Sequence, residues 1–118
     1  MTDIVRSALA DDPTIDITTT GRRSGQPRRI EIWMMVVDDR FFITGTPGPR
    51  DWLANLRAHP ELVVHLRGAA DLPAVAIEVV DEPTRRRVLE HLRASWYRGQ
   101  VSIDELVATA PMVEVRFV

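Results

Sequence analysis

The sequence predicts a mainly β fold of the α+β class, a six-stranded antiparallel barrel with helices inserted between strands. Short segments alternate apolar and polar residues with the period of two that a half-buried strand requires. The two longer segments with helical spacing fall late in the chain and do not follow every strand, which argues against a parallel βαβ sheet. The predicted strands are 15–20, 29–37, 41–46, 62–67, 72–80 and 112–118.

The first part of the chain predicts three strands. Residues 1–13 are polar and acidic, with a short helix around Ile4 and Ala8. From Ile15 the pattern alternates, and a second alternating run extends over residues 29–37. Asp38-Asp39-Arg40 is a tight polar turn that joins this run to the third strand as a hairpin.

The second part of the chain adds helices between the strands. Gly and Pro residues lead into a helix over residues 50–58, which Pro60 ends. Pro83 opens a second helix, whose apolar residues keep helical spacing as far as Trp96. Ser102-x-x-Glu105 is a capping box and predicts a short last helix before the closing strand.

Length and composition indicate an ordinary globular chain. With 118 residues, 45% apolar residues and a formal net charge of −2, we expect one domain. Within it, residues 1–13 form an N-terminal segment and residues 14–118 the barrel. No apolar run approaches the roughly 18 residues of a membrane span, and no signal-peptide core is recognisable. We therefore expect a cytoplasmic protein with no membrane span.

The sequence offers no obvious nucleophile, base or metal ligand set. There is no cysteine, which excludes disulfides and thiolate metal sites, and no lysine. The three histidines are scattered without ligand spacing, so we expect no metal site. No Gly-x-Ser-x-Gly motif occurs. If the protein is an enzyme, a cofactor is therefore expected to supply the reactive group.

The stretch between the first two strands, here called the arginine loop (residues 18–29), contains four arginines, two glycines and no acidic residue. Each guanidinium can bind two oxygens at once, and glycine lets backbone N–H groups approach an anion closely. This composition predicts a multiply anionic, phosphate-bearing ligand. It also fits a solvated hairpin turn whose arginines keep a sheet edge soluble.

A second loop, Gly45–Trp52, follows the third strand. In an up-and-down meander the first and third strands run in the same direction, so the two loops are expected at one end of the barrel. The helix that begins near Arg50 adds backbone N–H groups, which favour anions. Trp52 and Asn55 lie three residues apart on that helix. Core packing is the alternative interpretation for Trp52, and a backbone cap for Asn55.

Both loops together resemble a known family. Thr18–Arg29 and Gly45-x-x-Gly48-x-x-x-Trp52-x-x-Asn55-Leu56-x-Ala58-x-Pro60 look like the deazaflavin-dependent nitroreductase and quinone reductase family. That family uses coenzyme F420 on a split β-barrel related to the FMN-binding pyridoxamine-phosphate oxidase fold. The resemblance runs from about Ile15 to the last strand, and the two loops match in order and spacing.

The resemblance implies three groups of cofactor-binding residues. The cofactor's phosphate and glutamyl tail would be held by Arg22, Arg23, Ser24, Gly25, Gln26 and Arg28. The deazaflavin ring would lie along the start of the second strand, at Arg29, Ile30 and Ile32. The phosphate side would be closed by Gly45, Thr46, Gly48 and Arg50, with Trp52 and Asn55 beside the ligand or bracing it.

The resemblance also implies a reaction, in which a hydride passes from reduced F420 to an electron-poor small molecule such as a quinone, nitro compound or enone. Tyr97, the only tyrosine, would polarise the acceptor and supply a proton. F420 carries a phosphodiester and several carboxylates, which suits four or five arginines better than the single phosphate of FMN.

Three alternatives stay open. One is an FMN enzyme of the same fold, and another is a non-catalytic protein that binds a deazaflavin, haem or lipid. The acidic net charge and the scarcity of aromatic residues beside the arginine loop argue against nucleic acid as a partner. Split barrels of this kind commonly pair through their sheets, so the resemblance admits a homodimer, which the sequence itself does not decide.

Overall fold

A computed structural model describes residues 2–118 of the protein. In this part of the chain there are seven strands and five α-helices. The strands are Thr14–Thr20 (β1), Pro27–Trp33 (β2), Met35–Val37 (β3), Arg40–Thr44 (β4), Glu61–Leu66 (β5), Ala70–Glu78 (β6) and Met112–Phe117 (β7). The helices are Thr2–Asp11 (α1), Asp51–Ala58 (α2), Glu82–Glu90 (α3), Ser95–Gln100 (α4) and Ile103–Thr109 (α5), with a 3₁₀ turn at Leu92–Ala94.

All seven strands form one antiparallel sheet in the order β2-β1-β5-β6-β7-β4-β3. The β1–β2 and β3–β4 hairpins occupy opposite edges of the sheet, so the predicted meander is wrong. β1 and β4 nevertheless run in the same direction, because an even number of antiparallel steps separates them in this order. Close approach of β2 to β4 curls the sheet into a split barrel.

The predicted second strand, residues 29–37, is two strands in the structure, which raises the strand count from six to seven. The break lies at Met34, which is fully buried. Its backbone N–H donates to the carbonyl oxygen of Pro13 (2.9 Å) and not to a neighbouring strand. The chain leaves β1 at this point and pairs with β4 at the opposite edge of the sheet.

The predicted long helix after Pro83 is also interrupted. It divides into α3, the 3₁₀ turn and α4. The Nδ1 atom of His91 accepts a hydrogen bond from the backbone N–H of Arg93 (3.1 Å), which caps the turn. The predicted cap of the last helix is confirmed, since Ser102 Oγ accepts from the backbone N–H of Glu105 (3.3 Å).

Two apolar cores lie on opposite faces of the sheet. The inner core packs the concave side against α1 and α2 and includes Ile17, Val64 and Phe41. The outer core packs β3, β4 and β7 against α3, α4 and α5, with Phe42 and Leu106 at its centre. Because strand residues alternate in direction, neighbouring phenylalanines on β4 enter different cores. The inner core fixes α2 beside the arginine loop.

Candidate functional site

The arginine loop is a tight turn between β1 and β2. The N–H of Gly21 donates to the Gln26 carbonyl (2.8 Å), and the N–H of Gly25 donates to the Gly21 carbonyl (2.9 Å). Gly25 has a φ of 70°, a conformation that favours glycine. A Cβ on Gly21 would lie 2.5 Å from Ser24 Oγ and 3.3 Å from the Gln26 carbonyl oxygen, so a larger residue there would displace the Ser24 side chain. The loop is therefore ordered by its own backbone.

Asn55 of α2 ties this loop to the helix. Its Oδ1 atom accepts from the backbone N–H of Arg22 (3.0 Å) and from Arg22 Nη1 (3.1 Å). Its Nδ2 donates to Thr19 Oγ1 (3.3 Å). Asp51, in the first turn of α2, accepts from Arg22 Nη2 (3.3 Å). Asn55 thus links the helix to β1 and to the loop and does not cap its own helix.

A pocket of about 320 Å³, here called the arginine pocket, lies between the loop and α2. It brings together seven of the residues expected to bind a cofactor: Arg22, Arg23, Ser24, Arg28, Ile30, Trp52 and Asn55. Within residues 2–118, neither Arg23 nor Arg28 forms an ion pair, and the Arg28 guanidinium contacts only the Ser24 hydroxyl (3.5 Å). Two guanidinium groups are therefore available to an anion.

The other expected residues of this segment lie outside the pocket. Arg29 points to the opposite face of β2, where its Nε atom pairs with Asp16 (2.9 Å). Ile32 packs against the inner core. Gly25 and Gln26 form the far end of the turn. Because alternate strand residues face opposite sides, Arg28 and Arg29 cannot both face one ligand.

The Gly45–Trp52 loop forms a different surface. Arg50 folds back on this loop, and its Nη2 atom donates to the carbonyl (2.8 Å) and the hydroxyl (3.0 Å) of Thr46. Gly48 and Arg50 line a separate cavity of about 470 Å³ that also includes parts of α2, β6 and α5. We call it the α2–α5 cavity. Gly45, Thr46, Gly48 and Arg50 therefore do not join the lining of the arginine pocket.

Tyr97 lies in an aromatic cluster with Trp33 and Trp96. The ring centroids are 6.1 Å from Trp33 to Tyr97 and 5.5 Å from Trp96 to Tyr97, in edge-to-face arrangements. Tyr97 is buried, whereas Trp33 and Trp96 are 37% and 55% exposed. Burial raises the pKa of the Tyr97 hydroxyl, an effect that the positive charge of Arg50 opposes. The hydroxyl therefore stays protonated at neutral pH.

Four residues of these surfaces are missing from the sequence-based site. Thr19, Gly21 and Asp51 line the arginine pocket, and Trp33 completes the aromatic cluster. An outward-facing tryptophan at the end of β2 was a usable signal, because large exposed aromatic side chains commonly mark interaction surfaces. Nothing in the spacing indicated the Asp51–Arg22 contact, which joins residues 29 positions apart.

Two classes of feature are absent from residues 2–118. No group of three or more histidine or acidic side chains is arranged to hold a metal ion. No helix in this range is both long and apolar enough to cross a bilayer.

Comparison with solved structures supports the split-barrel fold. A Listeria innocua protein assigned as a pyridoxamine 5′-phosphate oxidase superposes with a TM-score of 0.72 at 12% identity, covering 98% of this chain and 92% of that one. A structure named F420-H2 dependent reductase (FDR-A) gives a TM-score of 0.65 at 21% identity, covering 89% and 95% of the two chains. A structure described as a domain-swapped dimer gives 0.65 at 20% identity, covering 98% of each chain.

The likeness to the pyridoxamine-phosphate oxidase structure confirms the predicted fold class. A search of curated proteins finds no match. The model of the F420H(2)-dependent quinone reductase family matches residues 3–108 and so spans both loops and α2. This match covers most of the chain and agrees with the resemblance seen in the loop residues. The protein is an oxidoreductase that uses F420, and it belongs to the F420H(2)-dependent quinone reductase family.

Proposed function

We propose that this F420H2-dependent reductase delivers a hydride to an electron-poor small molecule such as a quinone, nitro compound or enone. The observation that carries the proposal is the arginine pocket, where two guanidinium groups without carboxylate partners stand beside a glycine-ordered turn. This donor set fits a phosphodiester with attached carboxylates, because guanidinium forks bind such oxygens in pairs.

We assign the cofactor's anionic part to the arginine pocket. Arg23 and Arg28 would bind phosphate or carboxylate oxygens directly, and the Ser24 hydroxyl would add a donor. Arg22 is already held by Asn55 and Asp51, so its main contribution is to fix the loop and keep the pocket positive. Trp52 forms an apolar wall of the same pocket.

The remaining predicted residues receive smaller roles in this proposal. Gly25 and Gln26 shape the turn, since the Gln26 carbonyl closes it. Gly45 and Thr46 hold the Arg50 guanidinium beside the N-terminus of α2, where its charge adds to the positive field. Ile30 would contact the ligand from β2. Arg29 faces away and would act only through the strand backbone. Ile32 is on the same face as Ile30 but lies two residues further along β2, against the inner core and outside the pocket lining.

Reduced F420 supplies the hydride when bound, so the chain needs no side-chain nucleophile. The side chains have to orient the acceptor and exclude water around it. The exposed rings of Trp33 and Trp96 offer flat apolar surfaces that suit a planar acceptor. The Tyr97 hydroxyl, kept protonated by burial, would donate a hydrogen bond to an acceptor oxygen and then its proton.

Cofactor binding is tested by titrating the protein with F420 and following fluorescence quenching. We expect micromolar binding, which the double variant Arg22→Ala/Arg23→Ala should weaken steeply. Absence of binding at micromolar concentration, or an unchanged affinity of the double variant, would contradict the assignment. A parallel titration with FMN decides between the two cofactors, since an FMN enzyme would bind FMN more tightly.

The acceptor class is tested by mixing the protein with reduced F420 and one quinone, one nitroarene or one enone at a time. Oxidation of the cofactor that depends on both the protein and the acceptor supports the proposed reaction. Binding of F420 without turnover of any of the three acceptors would instead indicate a non-catalytic cofactor-binding protein.

We also propose that the protein forms a homodimer. Support comes from the structurally similar domain-swapped dimer and from the exposed outward face of β2, which carries Trp33. Native mass spectrometry at micromolar concentration tests this, and a monomer at that concentration would refute it.

A further inference from the structure

The α2–α5 cavity lies on the side of α2 opposite the arginine pocket. Asp51, Trp52 and Asn55 line the arginine pocket, whereas Arg50, Leu53, Ala54 and Arg57 line the cavity. The spacing of the second set, three or four residues apart, defines one face of the helix. The cavity is thus a separate surface, and its volume of about 470 Å³ lies within the usual range for small-molecule sites.

A buried arginine forms one wall of this cavity. The guanidinium of Arg85 donates to four carbonyl oxygens, those of Val107 (2.6 Å), Val79 (2.9 Å), Ala110 (2.6 Å) and Leu106 (3.4 Å). All of these acceptors are neutral. Burial lowers the pKa of Arg85, because desolvation disfavours its charged form. The charge of Glu78 compensates only in part, since the Glu78 carboxylate is hydrogen-bonded to both Nε (2.9 Å) and Nη2 (2.6 Å) of Arg57.

Arg50, on the other side of the cavity, likewise contacts only neutral oxygens. Its donors reach the Thr46 carbonyl and hydroxyl and the Pro49 carbonyl (3.1 Å). In the described part of the chain, neither Arg50 nor Arg85 has a carboxylate within ion-pair distance. Three arginines and one glutamate line the cavity, so it carries excess positive charge.

We propose that the α2–α5 cavity binds a small molecule with two or more carboxylates. Two guanidinium groups without ionic partners suit two carboxylates, and Leu53, Ala54 and Ala108 line the same cavity and provide apolar surface for a carbon chain. An inorganic ion would leave most of this volume empty. A free dicarboxylate and a γ-glutamyl chain share this chemistry, and the second source rests on the use of F420.

The proposal is tested by isothermal titration of the full chain at low ionic strength, with glutarate and with γ-linked tetraglutamate. Glutaramide, which has the same carbon chain without charge, is the control ligand. We expect both carboxylates to bind at least about tenfold more tightly than glutaramide, as an ion-paired site requires. Binding of glutarate would show that a free dicarboxylate is enough to occupy the cavity. Binding of tetraglutamate without binding of glutarate would show that the cavity takes a γ-glutamyl chain.

Two variants place a new carboxylate in the cavity, Ala54→Glu from α2 and Ala108→Glu from α5. Each should weaken carboxylate binding by about tenfold or more, because the added group competes for the arginines. Ala58→Glu, on an exposed position of α2 outside the cavity lining, has the same charge change and should bind as the unmodified chain does. Thermal melting establishes that each variant is folded. If only one of the two cavity variants folds, that variant alone is enough to test the proposal.

Failure of this proposal is distinguishable from failure of the cofactor assignment. The double variant Arg23→Ala/Arg28→Ala alters only the arginine pocket and should retain glutarate binding within about twofold, and the tetraglutamate binding that it retains belongs to the α2–α5 cavity. Equal loss in that variant would place the anion in the arginine pocket and overturn the proposal. Absence of carboxylate binding by the unmodified chain, or unchanged binding by a folded cavity variant, would also overturn it, whatever the affinity for F420.

Discussion

The carboxamide of Asn55 holds Arg22 through both the backbone and the guanidinium of that arginine. One oxygen, Oδ1, accepts both hydrogen bonds, at 3.0 and 3.1 Å. Asp51 accepts a third from the same side chain. Arg22 is therefore largely committed to the fold, whereas Arg23 and Arg28 have no carboxylate partner among residues 2–118. The four arginines of this loop thus have different roles: Arg22 builds the pocket, Arg29 pairs with Asp16 on the opposite face of β2, and Arg23 and Arg28 are free to bind an anion.

Replacing Asn55 with alanine should loosen the arginine loop. Asn55 is buried, and its removal leaves the Arg22 N–H and the Thr19 hydroxyl without their partner. We expect a loss of about 1–3 kcal/mol in the free energy of unfolding, measured by urea denaturation. Amide hydrogen exchange in residues 21–26 should accelerate. Asn55→Asp, which retains an acceptor for Arg22, should lose less, and equal losses would contradict the bridging role.

Arg23 and Arg28 should each contribute to F420 affinity, and Arg29 should not. We expect Arg23→Ala and Arg28→Ala to weaken binding by about tenfold each, as for hydrogen bonds to a charged group. Arg29→Ala is the matched control, because this side chain pairs with Asp16 on the opposite face of β2. Fluorescence titration with F420 at two salt concentrations measures the affinity of each of the three variants. If Arg29→Ala bound F420 more weakly than Arg28→Ala, the conclusion that only the Arg28 face of β2 contacts the cofactor would be refuted.

Strand and helix positions followed from the sequence because periodicity reports which residues are buried. The break at Met34 did not, since residues 32–37 are all apolar and no glycine, proline or polar turn residue separates β2 from β3. What separates the two strands is the change of partner from β1 to β4, a tertiary event. The interruption between α3 and α4 was likewise not visible in the sequence, because the helical spacing of apolar residues continues through the 3₁₀ turn.

Composition of the arginine loop predicted an anionic ligand, and spacing placed it near α2. Which of its arginines are free to bind an anion could not be predicted, because Arg22 is held by Asp51 and Asn55, which lie about 30 residues away in sequence. The orientation of Arg50 was likewise not available from spacing, because it depends on how α2 is rotated against the barrel. Only the structure separates the arginine pocket from the α2–α5 cavity.

The ion pair between Arg40 and Glu114 should make stability depend on acidity. Arg40 donates from Nε and Nη2 to the two carboxylate oxygens, both at 2.9 Å, and Glu114 is buried. These hydrogen bonds hold the pKa of Glu114 below its ordinary value of 4.5. The pKa of Glu114 is lower in the folded state than in the unfolded state. The ion pair therefore contributes its full stabilisation at pH values above the unfolded-state pKa, and this contribution is lost as the pH falls through the folded-state pKa.

The expected result is that Glu114→Gln destabilises the protein at neutral pH by about 1–3 kcal/mol and loses less stability on acidification than the unmodified chain. Urea denaturation at neutral pH and at about pH 3 measures both quantities. Glu61→Gln is the control, because Glu61 is exposed and forms no ion pair within residues 2–118. A Glu114→Gln variant with the same acid dependence as the unmodified chain would exclude this ion pair as the cause.

Tyr97→Phe separates the proposed proton donor from its role in packing. The hydroxyl is the only group removed, so the contacts of the ring with Trp33 and Trp96 and the melting temperature should be retained. We expect kcat/KM for a quinone to fall by about 100- to 10,000-fold, the usual contribution of a positioned acid. The F420 dissociation constant should change by less than about twofold, because Tyr97 does not line the arginine pocket.

The pH profile gives a second readout for Tyr97. Since burial raises its pKa above the ordinary value of 10.0, the hydroxyl should remain a donor throughout the neutral and mildly alkaline range. The ratio of the rates of the unmodified enzyme and Tyr97→Phe should therefore be constant there and decline only in strong alkali. A ratio near one at every pH would show that the proton comes from water. Tyr97 would then serve only to support the two exposed tryptophans.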